Sequence, residues 1–127
     1  MSNTQTHVVI VDDDLISLEV MKAMLGHFPE ASISTAQSGE EALDLILNER
    51  PDLVLLDHEL PDFNGVELYC KVHEQLGDKT PVTAMISGHN PSDFRDECAA
   101  AGINTLLQKP LAPSDVAELM RIAGTSK

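Results

Sequence analysis

Tryptophan is absent from this 127-residue chain, tyrosine occurs once and phenylalanine three times. A core without large rings must be filled by Leu, Ile, Val, Ala and Met, and the 43% hydrophobic content supplies them. Basic residues are scarce as well. Eight Lys and Arg against twenty-one Asp and Glu leave a formal net charge of -13. Such a chain repels phosphate backbones and anionic lipid headgroups, which disfavours direct nucleic-acid binding and makes cations or basic proteins the expected partners. The acidic residues are interleaved with regular apolar runs, the pattern of a folded domain with a solvated acidic surface and not of a disordered segment.

Long hydrophobic stretches are missing too. No run approaches the ~20 apolar residues that cross a bilayer, and the opening MSNTQTH lacks the charged and apolar regions of a signal peptide, so no membrane partner and a cytoplasmic location are expected. The only two cysteines, Cys70 and Cys98, share no metal-ligand spacing and fall in helix-like segments, where they read as reduced packing residues.

What is present is an alternation. Short Val/Ile/Leu runs near 7–11, 31–36, 53–56, 82–86 and 103–107 are each followed by a segment of helical period. Five strand-helix units of this kind imply a parallel sheet covered by helices, an α/β fold. Helix starts are marked by Asp14, by Ser38 with Glu41, by Asn64 with Glu67, by Asn90 before Pro91 and by Pro113. The first helix carries apolar residues in two rows, Ile16, Val20, Ala23 and Met24 beside Leu15, Leu18, Met21 and Leu25, a wide stripe expected to pack on the sheet. No repeat, linker or low-complexity tract interrupts the pattern, so 1–127 reads as a single domain with a core of about 6–123 and no output domain. Right-handed crossovers then favour a doubly wound sheet in the order 2-1-3-4-5, whose ligands bind beyond the carboxyl ends of the strands.

At that edge the sequence delivers Asp12, Asp13 and Asp14 after the first strand, Asp57 and Glu59 after the third, Ser87 after the fourth and Lys109 after the fifth. Carboxylates gathered in one place repel each other, and a divalent cation is the natural remedy. Magnesium suits a few carboxylates that leave room for waters and a phosphate. Asp57 can serve as a nucleophile that accepts a phosphoryl group, Ser87 can hydrogen-bond a phosphoryl oxygen, and Lys109 can supply positive charge. The bland reading of the 12–14 run is a helix N-terminus that favours acids, and Asp14 reads as a cap alone.

The segments VDDD at 11–14, LVLLDHELPDFNG at 53–65, the Ser87-Gly88 pair and QKP at 108–110 resemble, in this order and spacing, the receiver domain of two-component response regulators. The resemblance covers essentially the whole chain and implies a flavodoxin-like (βα)5 fold. It implies that Asp57 accepts a phosphoryl group from a histidine kinase or a histidine phosphotransfer protein. It further implies that Asp12, Asp13, Asp57 and the main-chain carbonyl of Glu59 hold magnesium, with manganese as a substitute ion, and that Ser87 and Lys109 contact the phosphoryl group. The Lys109-Pro110 bond is often cis in such domains. Such a domain is a signalling phosphoacceptor, not an enzyme acting on a separate substrate, and it signals to a downstream protein through the face of the fourth helix, fifth strand and fifth helix.

Two features depart from the pattern. Many receivers carry an aromatic residue three positions before the lysine, and this chain has Leu106 at that switch position. Glu59 and His89 occupy positions that tune phosphoryl lifetime, while His58 and His89 at the pocket rim read as solvated side chains. Gly65 and Pro61 read as turn and loop formers. Segments 12–25 and 97–104 look somewhat like receivers fused to hybrid histidine kinases, which makes a phosphorelay role the nearest alternative. A magnesium-dependent aspartyl-phosphate phosphohydrolase is a distant one, since its Asp-x-Asp motif is here Asp57-His58-Glu59 and follows the third strand. No Gly-rich phosphate loop follows any strand.

Overall fold

The computed structural model describes residues 5–103 and 105–125. Five strands alternate with five α-helices: β1 (Thr6–Val11), α1 (Leu15–Leu25), β2 (Ala31–Ala36), α2 (Gly39–Glu49), β3 (Leu53–Asp57), α3 (Gly65–Leu76), β4 (Val82–Ser87), α4 (Arg95–Ala101), β5 (Thr105–Gln108) and α5 (Pro113–Thr125). All neighbouring strands are parallel, in the order β2-β1-β3-β4-β5. The expected doubly wound sheet is therefore present.

Both sheet faces are covered, which explains why the central strands read as nearly unbroken apolar runs. Val8, Ile10, Leu53, Leu55, Ala84 and Ile86 pack with Leu18, Met21 and Leu25 of α1 and with Val116, Leu119 and Met120 of α5. The alternate residues Val9, Val11, Val54, Leu56 and Met85 pack with α2, α3 and α4 through Ala42, Ile46, Leu68, Val72 and Cys98. Each buried Val, Leu, Ile or Met side chain contributes roughly 1.5–3 kcal/mol, so two mainly aliphatic layers, with Phe94 as their buried ring, make up the core.

Several helix starts match their signals. Asp14 accepts from Ile16 N–H, Asn64 and Glu67 form a complete capping box, and Asp115 of the first turn of α5 accepts from Ala112 N–H. Others differ. Ser38 accepts from Glu41 N–H, but the Glu41 carboxylate takes the N–H of Gln37 instead of that of Ser38, so the box at α2 is incomplete. Pro91 opens a 3-10 turn over Pro91–Asp93, and α4 begins only at Arg95, after Phe94 and without a side-chain cap. The fifth strand starts at Thr105, two residues later than expected, and residue 104 lies outside the described residues. The double stripe of α1 is only half used. Leu18, Met21 and Leu25 are buried, whereas Leu15, Ile16 and Val20 are exposed. A helix lying on a sheet can bury one side, and two adjacent rows of apolar residues exceed it. Cys98 is buried as expected of a packing residue, but Cys70 is exposed on α3.

Candidate functional site

The carboxyl ends of β1, β3, β4 and β5 form one edge. Asp12 follows β1, Asp57 ends β3 in register with Ile86, and Ser87 ends β4 in register with Gln108, one residue before Lys109. Parallel pairing thus converts four distant segments into neighbours, and the three interior positions are shut away from water: Asp12 is 0% exposed, Asp57 5% and Ser87 0%. Asp13, by contrast, is exposed.

Carboxylate oxygens of Asp12, Asp13 and Asp57 all lie within 4.8 Å of one another. Lys109 reaches into the group, with Nζ 2.7 Å from Asp12 Oδ2 and 3.5 Å from Asp57 Oδ2. One ammonium shared between two buried carboxylates leaves a deficit of positive charge. Burial, followed by the Asp12 charge, pushes the Asp57 carboxyl up to about 7, against the pull of Lys109 and of the Glu59 N–H. Burial also works against the Lys109 charge, but Asp12 and Asp57 outweigh it and hold the ammonium above its usual value. The backbone supplies little relief: Asp12 Oδ1 accepts from Asp14 N–H at 2.9 Å and Asp57 Oδ1 from Glu59 N–H at 3.3 Å. Asp12 Oδ2 is buried with an ion-pair neighbour but no partner of good hydrogen-bond geometry among the described residues.

The site therefore fits a hard divalent cation on its own chemistry. Its donors are all carboxylate oxygens, two of the three acids are buried, and one of them is forced far above its ordinary range by burial and by the neighbouring Asp12 charge.

Ser87 is held at its own strand end, where its hydroxyl accepts from His89 N–H at 2.9 Å and its carbonyl accepts from Lys109 N–H at 2.8 Å. The Lys109-Pro110 peptide is cis. The Glu59 side chain is exposed and points across the mouth of the site to His89, with 3.0 Å between Oε2 and Nε2. Leu106 is half-buried on β5, in register with Met85 and packed against the layer of α2, α3 and α4.

Three features escaped sequence reasoning. His58 is not a solvated rim residue: its ring stacks on Phe94, with centroids 4.2 Å apart and planes at 14°. Asp62 accepts from Gly39 N–H at 2.8 Å and Glu40 N–H at 2.9 Å, so the loop after Asp57 caps the start of α2, and the Phe63 ring fills the space a Cβ at Gly39 would need. Gly65 is not a turn glycine with left-handed backbone. A Cβ there would sit 2.7 Å from Met85 Sδ and 2.8 Å from the Asp57 carbonyl oxygen, so close approach of α3 to the end of β3 is what demands glycine. A turn signal cannot be told from a packing glycine without the neighbouring elements in place.

Comparison with known proteins agrees with this geometry. The sequence profile of the response regulator receiver domain matches residues 8–121. The chain is 36% identical over 114 residues to the response regulator MprA of Mycobacterium sp. (strain KMS), which covers 90% of this chain and 48% of that protein. It is 28% identical over 123 residues to the putative two-component response regulator ARR21 of Arabidopsis thaliana, covering 95% of this chain and 19% of that one. The chain thus spans about half the length of the first relative and less of the second. Among solved structures, a CheY-like receiver domain protein from Methanospirillum hungatei JF-1 superposes with a TM-score of 0.85 at 28% identity, over 96% of this chain and 95% of that one. A putative response regulator from Chloroflexus aurantiacus J-10-fl gives a TM-score of 0.85 at 27% identity, over 95% and 98%.

Proposed function

The chain belongs to the response regulator receiver domain family, and on that footing we propose that Asp57 accepts a phosphoryl group from a phosphohistidine on a kinase or phosphotransfer protein, and that the phosphorylated form signals by altered partner binding. The observation that carries this reading is the charge deficit around Asp57: a buried carboxyl with a pKa of about 7, a second buried acid beside it, and one lysine shared between them. Structural acids are paired until they ionise freely. This edge is left short of positive charge, which suits a place that a cation and a phosphoryl group enter together.

Asp12, Asp13 and Asp57 are the side chains that would hold magnesium, with the Glu59 main-chain carbonyl as a further ligand. The cation, when bound, draws negative charge from a transferring phosphoryl group. The protein's own residues do the rest. Asp57 presents a carboxylate oxygen at the end of β3, where an incoming phosphorus can be met in line, and the nitrogen of the donor imidazole leaves as the acyl phosphate forms. Lys109, already 3.5 Å from Asp57 Oδ2, neutralises charge on the product. Ser87 exchanges the His89 N–H it now accepts from for a bond from its own hydroxyl to a phosphoryl oxygen. Burial keeps water from the acyl phosphate, while Glu59 and His89 stand at the mouth through which water must come.

Incubation with magnesium and acetyl phosphate should add one phosphoryl group, read by intact mass, in the wild type and none in Asp57→Asn. A phosphoryl group that persists in Asp57→Asn would refute the assignment. Steady turnover of many phosphate esters would favour a phosphohydrolase instead.

A further inference from the structure

Position 106 carries no ring in this chain, yet a ring contact does join the phosphoacceptor loop to α4. His58 directly follows Asp57, and its backbone is fixed on both sides: its N–H donates to the Ile86 carbonyl at 2.9 Å and its carbonyl accepts from Gly65 N–H at 2.8 Å. With the main chain so held, the imidazole projects onto Phe94, a residue 8% exposed that stands at the entry to α4. The two rings lie face to face, 4.2 Å apart and 14° from parallel. Stacked rings resist tilting and sliding relative to each other more than aliphatic contacts do, so a displacement of one is passed to the other.

Two further observations make this contact the place where α4 is poised. His58 Nε2 is buried without a hydrogen-bond partner among the described residues and lies 3.7 Å from Glu97 Oε1 on the first turn of α4, within ion-pair range but beyond hydrogen-bond distance. A buried polar atom left unbonded favours any nearby arrangement that satisfies it, and here a helix shift of less than about 1 Å would bring the carboxylate into range. The helix is also lightly held. It has seven residues, no side-chain cap at its start and Cys98 as its buried residue, whereas α1, α2 and α3 each have eleven or twelve residues and a side-chain cap. Leu106 packs against the same layer as Phe94 but offers no plane to stack on.

We propose that the His58–Phe94 stack couples the phosphorylation state of Asp57 to the position of α4, taking the part that an aromatic residue at 106 cannot take here. This rests on the reading of Asp57 as phosphoacceptor. His58 is a positioning residue: it transmits a change at its neighbour and does not touch the phosphoryl group.

The test is backbone amide hydrogen exchange of the full chain with and without acetyl phosphate and magnesium, with the phosphorylated fraction read by intact mass in every sample. In the wild type, exchange over 95–101 should change on phosphorylation. His58→Leu and, from the other side of the contact, Phe94→Leu should still gain the phosphoryl group but lose the response of α4. His58→Phe, which keeps a ring, should restore it, and Leu106→Ala should leave it intact; a merely structural role for His58 predicts no such rescue. A full α4 response in both leucine variants, or its loss in His58→Phe, would overturn the coupling. A phosphorylated wild type with an unchanged α4 would overturn the coupling alone, while a wild type that gains no phosphoryl group would defeat the phosphoacceptor reading and the coupling with it.

Discussion

The two ends of the sheet carry the same kinds of residue and treat them in opposite ways. At the amino-terminal end, the His7 ring contacts the Ser32 carbonyl at 3.0 Å through Nδ1 and the Glu49 carboxylate through Nε2, Ser34 donates to Glu49 at 2.8 Å, and Asp52 accepts from His7 N–H at 2.8 Å. Glu49 and Asp52 both have donors, and bonds from His7 and Ser34 hold the Glu49 carboxyl below its usual range. At the carboxyl-terminal end, one lysine serves two buried acids, and Asp57 is pushed up to about 7 by burial and by the Asp12 charge. The first cluster fastens α2 to the sheet edge. The second is held short of charge by the same fold, and a protein tolerates such a loss of stability where the missing charge arrives from outside.

Substitutions can sharpen that contrast. The largest effect is expected at Lys109. In Lys109→Ala, two buried carboxylates lose the one ammonium that pairs with them among the described residues, and without divalent cations the protein should lose on the order of 3 kcal/mol at pH 7.5 by urea unfolding. Magnesium should recover part of that loss; equal stability with and without Lys109 would mean the acids are less confined than their burial indicates. Next comes Gly65→Ala. The new methyl must displace Met85 or the Asp57 carbonyl, costing about 1–3 kcal/mol in thermal or urea unfolding and slowing phosphorylation through the shifted Asp57 backbone. The smallest effect belongs to the satisfied end. Glu49→Gln weakens a partly exposed pair and should cost less than about 1 kcal/mol. Because the Glu49 pKa is lowered on folding, its contribution is present above the unfolded-state value and disappears as pH falls through the folded one. A Glu49→Gln cost larger than that of Lys109→Ala would reverse the comparison.

How much of this could be read from the sequence follows the same division. Elements governed by local chemistry were legible: β2 occupies 31–36 as expected, α5 starts at Pro113, and Asp14 caps α1. The acids of the site were legible because strand ends in a parallel sheet must converge, and Asp12, Asp13 and Asp57 do converge, with Lys109 among them. What depended on tertiary neighbours was not. The proline signal at 91 marks a 3-10 turn and not α4, whose start is decided by where Phe94 packs. The His58 stack, the Asp62 cap on α2 and the crowding at Gly65 each join segments that carry no shared pattern. Ile16 and Val20 of one apolar row and Leu15 of the other read as part of the packing stripe and are surface, because periodicity counts apolar residues but not the width of the sheet beneath them.

The central claim is that the carboxyl-terminal edge lacks positive charge because it receives a cation at Asp57. Asp57 is an acid whose pKa is raised on folding, so the folded state binds its proton more tightly, and stability should rise as pH falls from about 7 towards the ordinary carboxylate range. The direct measurement is the thermal midpoint of wild type and Asp57→Asn between pH 5 and 8, each with chelator and with magnesium. The account predicts that magnesium raises the wild-type midpoint most at pH 8 and progressively less towards pH 5. It also predicts that in chelator Asp57→Asn is the more stable protein at pH 8, with the difference closing towards pH 5, and that it responds weakly to magnesium at every pH. A wild type indifferent to magnesium at pH 8, or an Asp57→Asn protein that gains as much from it, would contradict the account.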